Sequence, residues 1–321
     1  MNNSEHLESI RLGVSSCLLG HQVRYDGGHK QNRYLTDTLT NYFSFVPVCP
    51  EVECGMPIPR EALRLVGDPK NPSLVTTRTQ EDYTEQMQKW GEEKLEELAK
   101  QELCGYIFKS RSPSSGMERI KVYDHKGNPK STGVGIWARM FMQRFPYLPV
   151  EDEGRLNDPK LREQFIEHVF VYSRWRRMLK QGTTPGQVVD FHSRHKMLLL
   201  AHSPELYAEM GKLTANAGKM DPEQLHSEYF YLLNKAMREK TTVNKNVNVL
   251  QHLIGYFKQE LSSDEKQEFL EILDNYHQGN LPLIVPITLL NHFVRKYKIP
   301  YLQYQYYLNP HPIELKLRNQ A

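Results

Sequence analysis

Three short apolar runs in the first half of the chain, Leu12–Ser16, Tyr42–Val48 and Cys104–Lys109, constrain its fold most. Each passes straight into, or shortly before, a loop of small, reactive or turn-forming residues: C-L-L-G, C-P-E and S-R-S-P-S-S-G. Between the runs, the spacing predicts helices over Tyr34–Tyr42 and Glu81–Gln101. The second places Met87, Trp90, Leu95 and Leu98 at helical intervals amid Glu and Lys pairs. Strands alternating with helices predict an α/β domain with a mostly parallel sheet. Ligands of such sheets bind at loops beyond the carboxyl ends of the strands, so these three loops are expected to share one pocket.

The second loop, Pro47–Arg60, reads P-V-C-P-E-V-E-C-G-M-P-I-P-R and carries two of the chain's four cysteines. Its prolines at 47, 50, 57 and 59 argue against a helix through it. Thiol and carboxylate groups on a stiff loop at a strand end suit a metal or catalytic site, although a proline-rich connector can carry them too. Cys17 and Cys49 occupy equivalent positions at the ends of neighbouring strands, which favours ligands over two small buried residues. Cys54 can be ligand, neighbour or bystander. Cys104 opens its strand at the opposite edge and reads as structural. Glu51, two residues from Cys49, is the better proton carrier, and Glu53 reads as a loop carboxylate. Arg24 and Asp26 in R-Y-D-G-G either pair with each other or hold a polar substrate. Ser112, Ser114 and Ser115 form a turn or a set of hydroxyl and N–H groups for an anion or water.

The stretch Phe145–Pro159, with its prolines, glycine and acidic run, breaks the α/β pattern, so the expected domains are 1–147 and 148–321. Beyond it, helices are predicted over Lys160–Lys180, Thr184–Ala201, Gln224–Lys240, Asn244–Leu261, Asp264–Gln278 and Pro286–Tyr297, giving an all-α second half. The tyrosine-rich tail Tyr301–Leu308 fits no single pattern, and no internal repeat is present. Arg174, Arg176, Arg177 and Lys180 fall within about two helical turns. Arg194 and Lys196 follow in the next helix, and Lys245 lies beyond Lys240. These clusters, interleaved with Tyr172, Trp175 and the histidines His192 and His195, suit either a phosphate backbone or a solvated helix face.

Composition narrows the class of partner. A formal net charge of +3, spread over both halves, marks no basic tail and gives no reason to expect DNA. No run approaches the roughly 20 apolar residues of a membrane span, so no membrane partner is expected. The polar N-terminus lacks a signal pattern, so a cytoplasmic location is expected. Four cysteines are too few for a disulfide scaffold, and no C-x-x-C pair marks zinc.

Taken together, S-S-C-L-L-G…V-R-Y-D-G-G, P-V-C-P-E-V-E-C-G-M-P-I-P-R and F-K-S-R-S-P-S-S-G resemble the thiouracil desulfidase (TudS-like) domain. The later motifs L-P-V-E-D-E-G-R-L-N-D-P, V-D-F-H-S-R-H-K-M-L-L-L-A-H and V-L-Q-H-L-I-G-Y-F-K resemble the YbgA-type helical domain. This arrangement is similar to that of bacterial desulfidases acting on 4-thiouridine in tRNA. The resemblance implies a 4Fe–4S cluster held by three cysteines, with a fourth iron left open to take a thiocarbonyl sulfur. It implies Cys17 and Cys49 as the first two ligands, Glu51 and Ser112 as catalytic groups, and Arg24, Asp26 and Ser114 around the substrate. Ser115 stands where the family has its third cysteine. Ser115 as a weak ligand, Cys54 as a substitute, and a labile or missing cluster are all compatible with that change. Three functions follow: a tRNA 4-thiouridine desulfidase whose helical half grips RNA, a desulfidase of free thiouracil or a thionucleotide, or a non-catalytic RNA-binding protein.

Overall fold

The computed structural model describes residues 10–124 and 126–319. It divides into two compact units between Asp158 and Pro159. In chain order the first contains β1 (Ile10–Ser15), β2 (Phe43–Val48), α1 (Pro50–Glu53), β3 (Leu63–Asp68), β4 (Asn71–Thr76) and α2 (Thr84–Ala99). It continues through β5 (Gly105–Phe108), β6 (Ile120–Tyr123), β7 (Pro129–Gly133), α3 (Ile136–Arg144) and β8 (Val150–Asp152). One sheet has the order β2-β1-β5-β8 and is parallel throughout. This is the α/β architecture that the alternating pattern predicts. Its boundary lies at 158/159 rather than 147/148 because Val150–Asp152 adds a fourth parallel strand to β5.

The central strand β1 buries every residue except Arg11, as a strand covered on both faces must. Gly13 is required there: a Cβ at this position would lie 2.2 Å from the Tyr106 ring, too close for any side chain. Tyr106 stacks in turn on Phe108 and Phe141, at 4.3 and 4.5 Å between ring centroids, so α3 seals one face of the sheet.

A second, mixed sheet with the order β4-β3-β6-β7 is absent from the sequence reading. Its strands carry Gly67, Pro72, Lys121 and Pro129, and lack the continuous apolar runs of the first sheet. They are stabilised by partners rather than by propensity. The expected helix Tyr34–Tyr42 is two irregular turns, Tyr34–Thr38 and Leu39–Asn41.

The second unit is helical: α4 (Pro159–Gln181), α5 (Pro185–His202), α6 (Pro204–Ala215), α7 (Pro222–Arg238), α8 (Val243–Ile254), α9 (Ser263–His277), α10 (Ile284–Tyr297) and α11 (Pro300–Gln303). The helices expected in this half form, although the one expected over Asn244–Leu261 ends at Ile254, and α6 and the short α11 are additions. Ser203 accepts a hydrogen bond from Leu206 N–H with Pro204 at the first helical position, a start signal hidden by its closeness to the end of α5. Trp175 is buried and stacks on Tyr229 and Phe230 at 5.3 and 5.6 Å.

The C-terminal segment is pinned by charge. Buried Arg318 donates to Glu163 at 3.0 Å and to Glu167 at 2.6 Å, while His202 approaches the other Glu167 oxygen at 3.3 Å. Burial pushes the Glu167 carboxyl up, but Arg318 and His202 outweigh it and hold Glu167 at about 2. Among the described residues, no helix is long and apolar enough to cross a membrane.

Candidate active site

Three loops at the carboxyl ends of β1, β2 and β5 enclose a cavity of about 370 Å³, lined by Cys17, Cys49, Glu51, Ser112, Ser114 and Ser115 among others. The first loop leaves β1 as a tight turn, Ser16–Leu19, closed by Gly20 in the left-handed region at φ 93°. Cys17 is buried on this turn, and its carbonyl accepts the N–H of Lys30 at 2.9 Å, which folds the R-Y-D-G-G loop back over it.

The second loop corrects the expectation that its prolines exclude a helix. Pro50–Glu53 forms one helical turn, with Pro50 at the first position, where a missing N–H costs nothing. Glu53 reaches back to accept the Cys49 N–H at 2.7 Å and pairs with Lys94 at 3.1 Å. It is therefore a structural carboxylate that fixes where Cys49 points. The turn also carries Cys54 away from the cavity. Its thiol donates to the Glu51 carbonyl at 3.3 Å, and its side chain packs among Met56, Leu65, Leu74, Met87, Ile120, Val122 and Ile136. From that position the Cys54 side chain faces the apolar cluster and does not line the cavity. Cys104 is likewise buried outside the cavity lining.

The third loop is held by the start of α3. Ile136 and Ala138 donate their backbone N–H groups to the carbonyls of Pro113 and Ser114 at 3.3 and 3.2 Å, so donors left over at a helix start fix the loop. Gly135 makes this approach possible: a Cβ there would sit 2.4 Å from the Ser114 carbonyl oxygen. Gly135→Ala is therefore expected to displace Ser112–Ser115 and to lower stability by about 1–3 kcal/mol, measured by denaturant unfolding.

Within the cavity the acidic and hydroxyl groups form a chain. Glu51 Oε1 accepts from Ser114 Oγ at 2.8 Å, Ser114 and Ser112 share a 2.9 Å hydrogen bond, and Ser112 Oγ accepts the Ser115 N–H at 3.1 Å. Glu51 Oε2 accepts from both Nε and Nη2 of Arg60, whose side chain is only 5% exposed. Arg60 Nη2 also donates to the Val23 carbonyl at 2.9 Å, the same carbonyl that the Cys49 thiol faces at 3.8 Å. One guanidinium thus ties two of the three loops together around the carboxylate.

The sequence reading missed Arg60, although a cation on a stiff P-I-P-R segment close to an acid was the signal available. It also missed that Lys30, Lys109 and Arg111 line the cavity with Arg24 and Arg60; of these five, Arg24 pairs with Asp26 at 3.5 Å, Arg60 with Glu51 and Lys109 with Glu153. Arg111 adopts left-handed backbone at φ 57°, a strain that commonly marks functional loops. Asp26 does not line the cavity: it accepts the Gly28 N–H at 3.0 Å and shapes the turn, an interaction that holds its carboxyl below the usual range.

Comparison with known proteins follows this division. The family model described as 2-thiouracil desulfurase matches residues 12–153. The uncharacterized protein YbbK of Bacillus subtilis (strain 168) is 31% identical over 150 residues, which are 45% of this chain and 97% of that protein. The chain belongs to the 2-thiouracil desulfurase family. A second model, for a protein family of unknown function (DUF1722), matches residues 196–312. The uncharacterized protein YbgA of Escherichia coli (strain K12) is 26% identical over 165 residues, 51% of this chain and 98% of that protein. Among solved structures, the [4Fe-4S]-dependent thiouracil desulfidase TudS aligns with 28% identity and a TM-score of 0.39, over 47% of this chain and 95% of that one.

In the desulfurase unit, the donor set available to a cluster is two thiols and one buried hydroxyl, Cys17, Cys49 and Ser115. Burial pushes the Cys17 thiol up to about 11 against the pull of Lys109 and Arg24, and burial raises Cys49 as well. Bound iron would displace those protons, because coordination stabilises thiolate far more than nearby cations do. Cys17 and Cys49 thus offer two thiols of the kind a cluster takes to one cavity, which the buried Ser115 also lines.

The cations expected to bind RNA in the helical unit are used unevenly. Arg174 donates to the Pro310 carbonyl and lies 3.8 Å over the Tyr306 ring, and Lys245 donates to the carbonyls of His202 and Lys240 at 2.6 and 2.8 Å. Both tie elements of the unit together. Arg176 and Arg177 are half-buried and Lys180 is exposed. Arg194 pairs with Asp190 at 2.8 Å, and Lys196 lies 4.8 Å over Tyr301. Trp175, His192 and His195 are core residues rather than partners for a nucleic acid.

Proposed function

We propose that the chain removes sulfur from 4-thiouridine in tRNA without net redox change, replacing C=S by C=O and releasing hydrogen sulfide. The observation that carries this reading is the single cavity shared by Cys17, Cys49, Ser115 and the Glu51–Ser114–Ser112 chain. Family membership supports desulfuration of thiouracil. Arg24 pairs with Asp26, Arg60 with Glu51 and Lys109 with Glu153, so Lys30 and Arg111 are the lining cations that favour a substrate carrying phosphates over a neutral free base.

Cys17 and Cys49 would hold the cluster, with Ser115 at the third position. When bound, a cluster with an open iron supplies a Lewis acid for the thiocarbonyl sulfur. The chain's own residues do the rest. Glu51 Oε1, aimed by Ser114 and fixed by Arg60 on Oε2, accepts a proton from the water that attacks the ring carbon. Ser114 and Ser112 extend that acceptor into the cavity and can return the proton to the departing sulfur. Arg24 and Lys109, paired with Asp26 and Glu153, lie beside Cys17, while Lys30 and Arg111 supply positive charge for flanking phosphates. To reach the site, a base within folded tRNA must leave its stack, and a second unit that holds RNA would lower the cost of doing so.

The test compares thiolated tRNA, 4-thiouridine monophosphate and free thiouracil as substrates for protein prepared without oxygen. The reading expects kcat/KM to fall in that order. Equal values for the free base and tRNA would favour a small-molecule desulfidase. Iron-free protein from anaerobic preparation would overturn the enzyme reading.

A further inference from the structure

The tail Tyr301–Leu308 lies along α5: Tyr306 N–H donates to the Arg194 carbonyl at 3.0 Å, and Gln305 donates to the Ser193 carbonyl at 2.8 Å. Its tyrosines meet three of the basic residues singled out in the sequence. Arg174 lies over Tyr306, Arg194 over Tyr304 at 5.5 Å, and Lys196 over Tyr301 at 4.8 Å. Tyr301 stacks further on Tyr256 at 5.2 Å and 25° between planes.

These tyrosines divide by exposure. Tyr306 is half-buried between Arg174 and His195 and serves the packing of the tail. Tyr304 and Tyr256 are 61% and 41% exposed. A tyrosine needed only to fasten the tail would bury its ring, because its contribution scales with the apolar area removed from water. These two instead present aromatic surface to solvent beside a guanidinium and an ammonium.

We propose that Tyr304 and Tyr256, flanked by Arg194 and Lys196, form a platform on which unpaired bases of RNA stack. Aromatic rings beside cations that follow a phosphate backbone are the combination single-stranded nucleic acids require. Stacking accepts any base, so the platform grips a loop or an unpaired end without reading its sequence. Arg194 keeps Asp190 as its partner at 2.8 Å, which holds the guanidinium in place over Tyr304. The proposal rests on the reading that this chain acts on tRNA, and it names the surface that would hold it.

The experiment titrates full-length protein into labelled oligouridylate and into tRNA at several salt concentrations, following fluorescence anisotropy. Tyr304→Ala and Tyr256→Ala should each weaken binding roughly 5- to 150-fold while leaving the salt dependence unchanged, since no ionic contact is lost. Tyr304→Phe should bind like the parent, separating stacking from a hydroxyl contact. Arg194→Ala and Lys196→Ala should instead make binding less salt-dependent. Thermal unfolding of each variant identifies any that simply lose the tail. If the parent binds RNA and both alanine variants bind equally well, the platform alone is overturned. If the parent binds neither probe, the tRNA reading falls and the platform with it.

Discussion

Glu51→Gln is expected to lower kcat by about 10²–10⁴-fold, the span that a positioned general base contributes, with bound iron unchanged. The geometry explains the size of the effect. Glutamine keeps the shape and can still accept from Ser114, but its amide cannot take up a proton at the oxygen that Ser114 aims into the cavity. With its oxygen kept by Ser114, its NH2 group faces the two Arg60 donors and cannot accept from them, so the arginine's hold on the side chain is lost. Iron and sulfide assays on the same preparation separate loss of chemistry from loss of cofactor. Activity within tenfold of the parent, with iron intact, would remove Glu51 from the mechanism.

The second large effect concerns the ligands. Cys17→Ala and Cys49→Ala should each reduce iron in anaerobically prepared protein to background, because each removes one of only two thiols lining the cavity. Cys54→Ala should keep its iron and lose only stability, by about 1 kcal/mol, since that thiol contacts the Glu51 carbonyl and an apolar cluster. Ser115→Cys should raise iron retention on exposure to air, because thiolate is a far better iron ligand than a hydroxyl that must first give up its proton. Iron retained in Cys17→Ala and lost in Cys54→Ala would require a different set of ligands.

Much of this was legible in the sequence, for identifiable reasons. Leu12–Ser16 is the buried central strand of a parallel sheet and Tyr42–Val48 its part-exposed edge, both apolar enough to show as runs, and Cys17 and Cys49 are visible because each follows such a run. Glu51 stood out by its distance from Cys49. The turn at Pro50 did not, because proline was weighed as a helix breaker where it begins one. The mixed sheet escaped because its strands are short and polar, with neither a continuous apolar run nor a sustained alternation, and Gly67, Pro72 and Pro129 interrupt them. Arg60 escaped because its role is set by contacts at positions distant in sequence, Val23 and Glu51. Of the two alternatives for Arg24 and Asp26, the structure has the pair, at 3.5 Å, with Asp26 also shaping the turn through Gly28. Cys54 has suitable chemistry beside the site but is turned into an apolar cluster by backbone geometry that spacing alone does not reveal. The basic residues of the helical unit stand out as clusters in the sequence, but Arg174 and Lys245 donate to carbonyls within the unit.

The most direct test counts sulfide and uridine together in one reaction: thiolated tRNA with anaerobically prepared protein and no added oxidant or reductant. The account predicts one sulfide released for each 4-thiouridine converted to uridine, and neither product with Cys17→Ala. Iron-loaded protein that leaves 4-thiouridine intact, or that consumes it without forming uridine, would contradict the account.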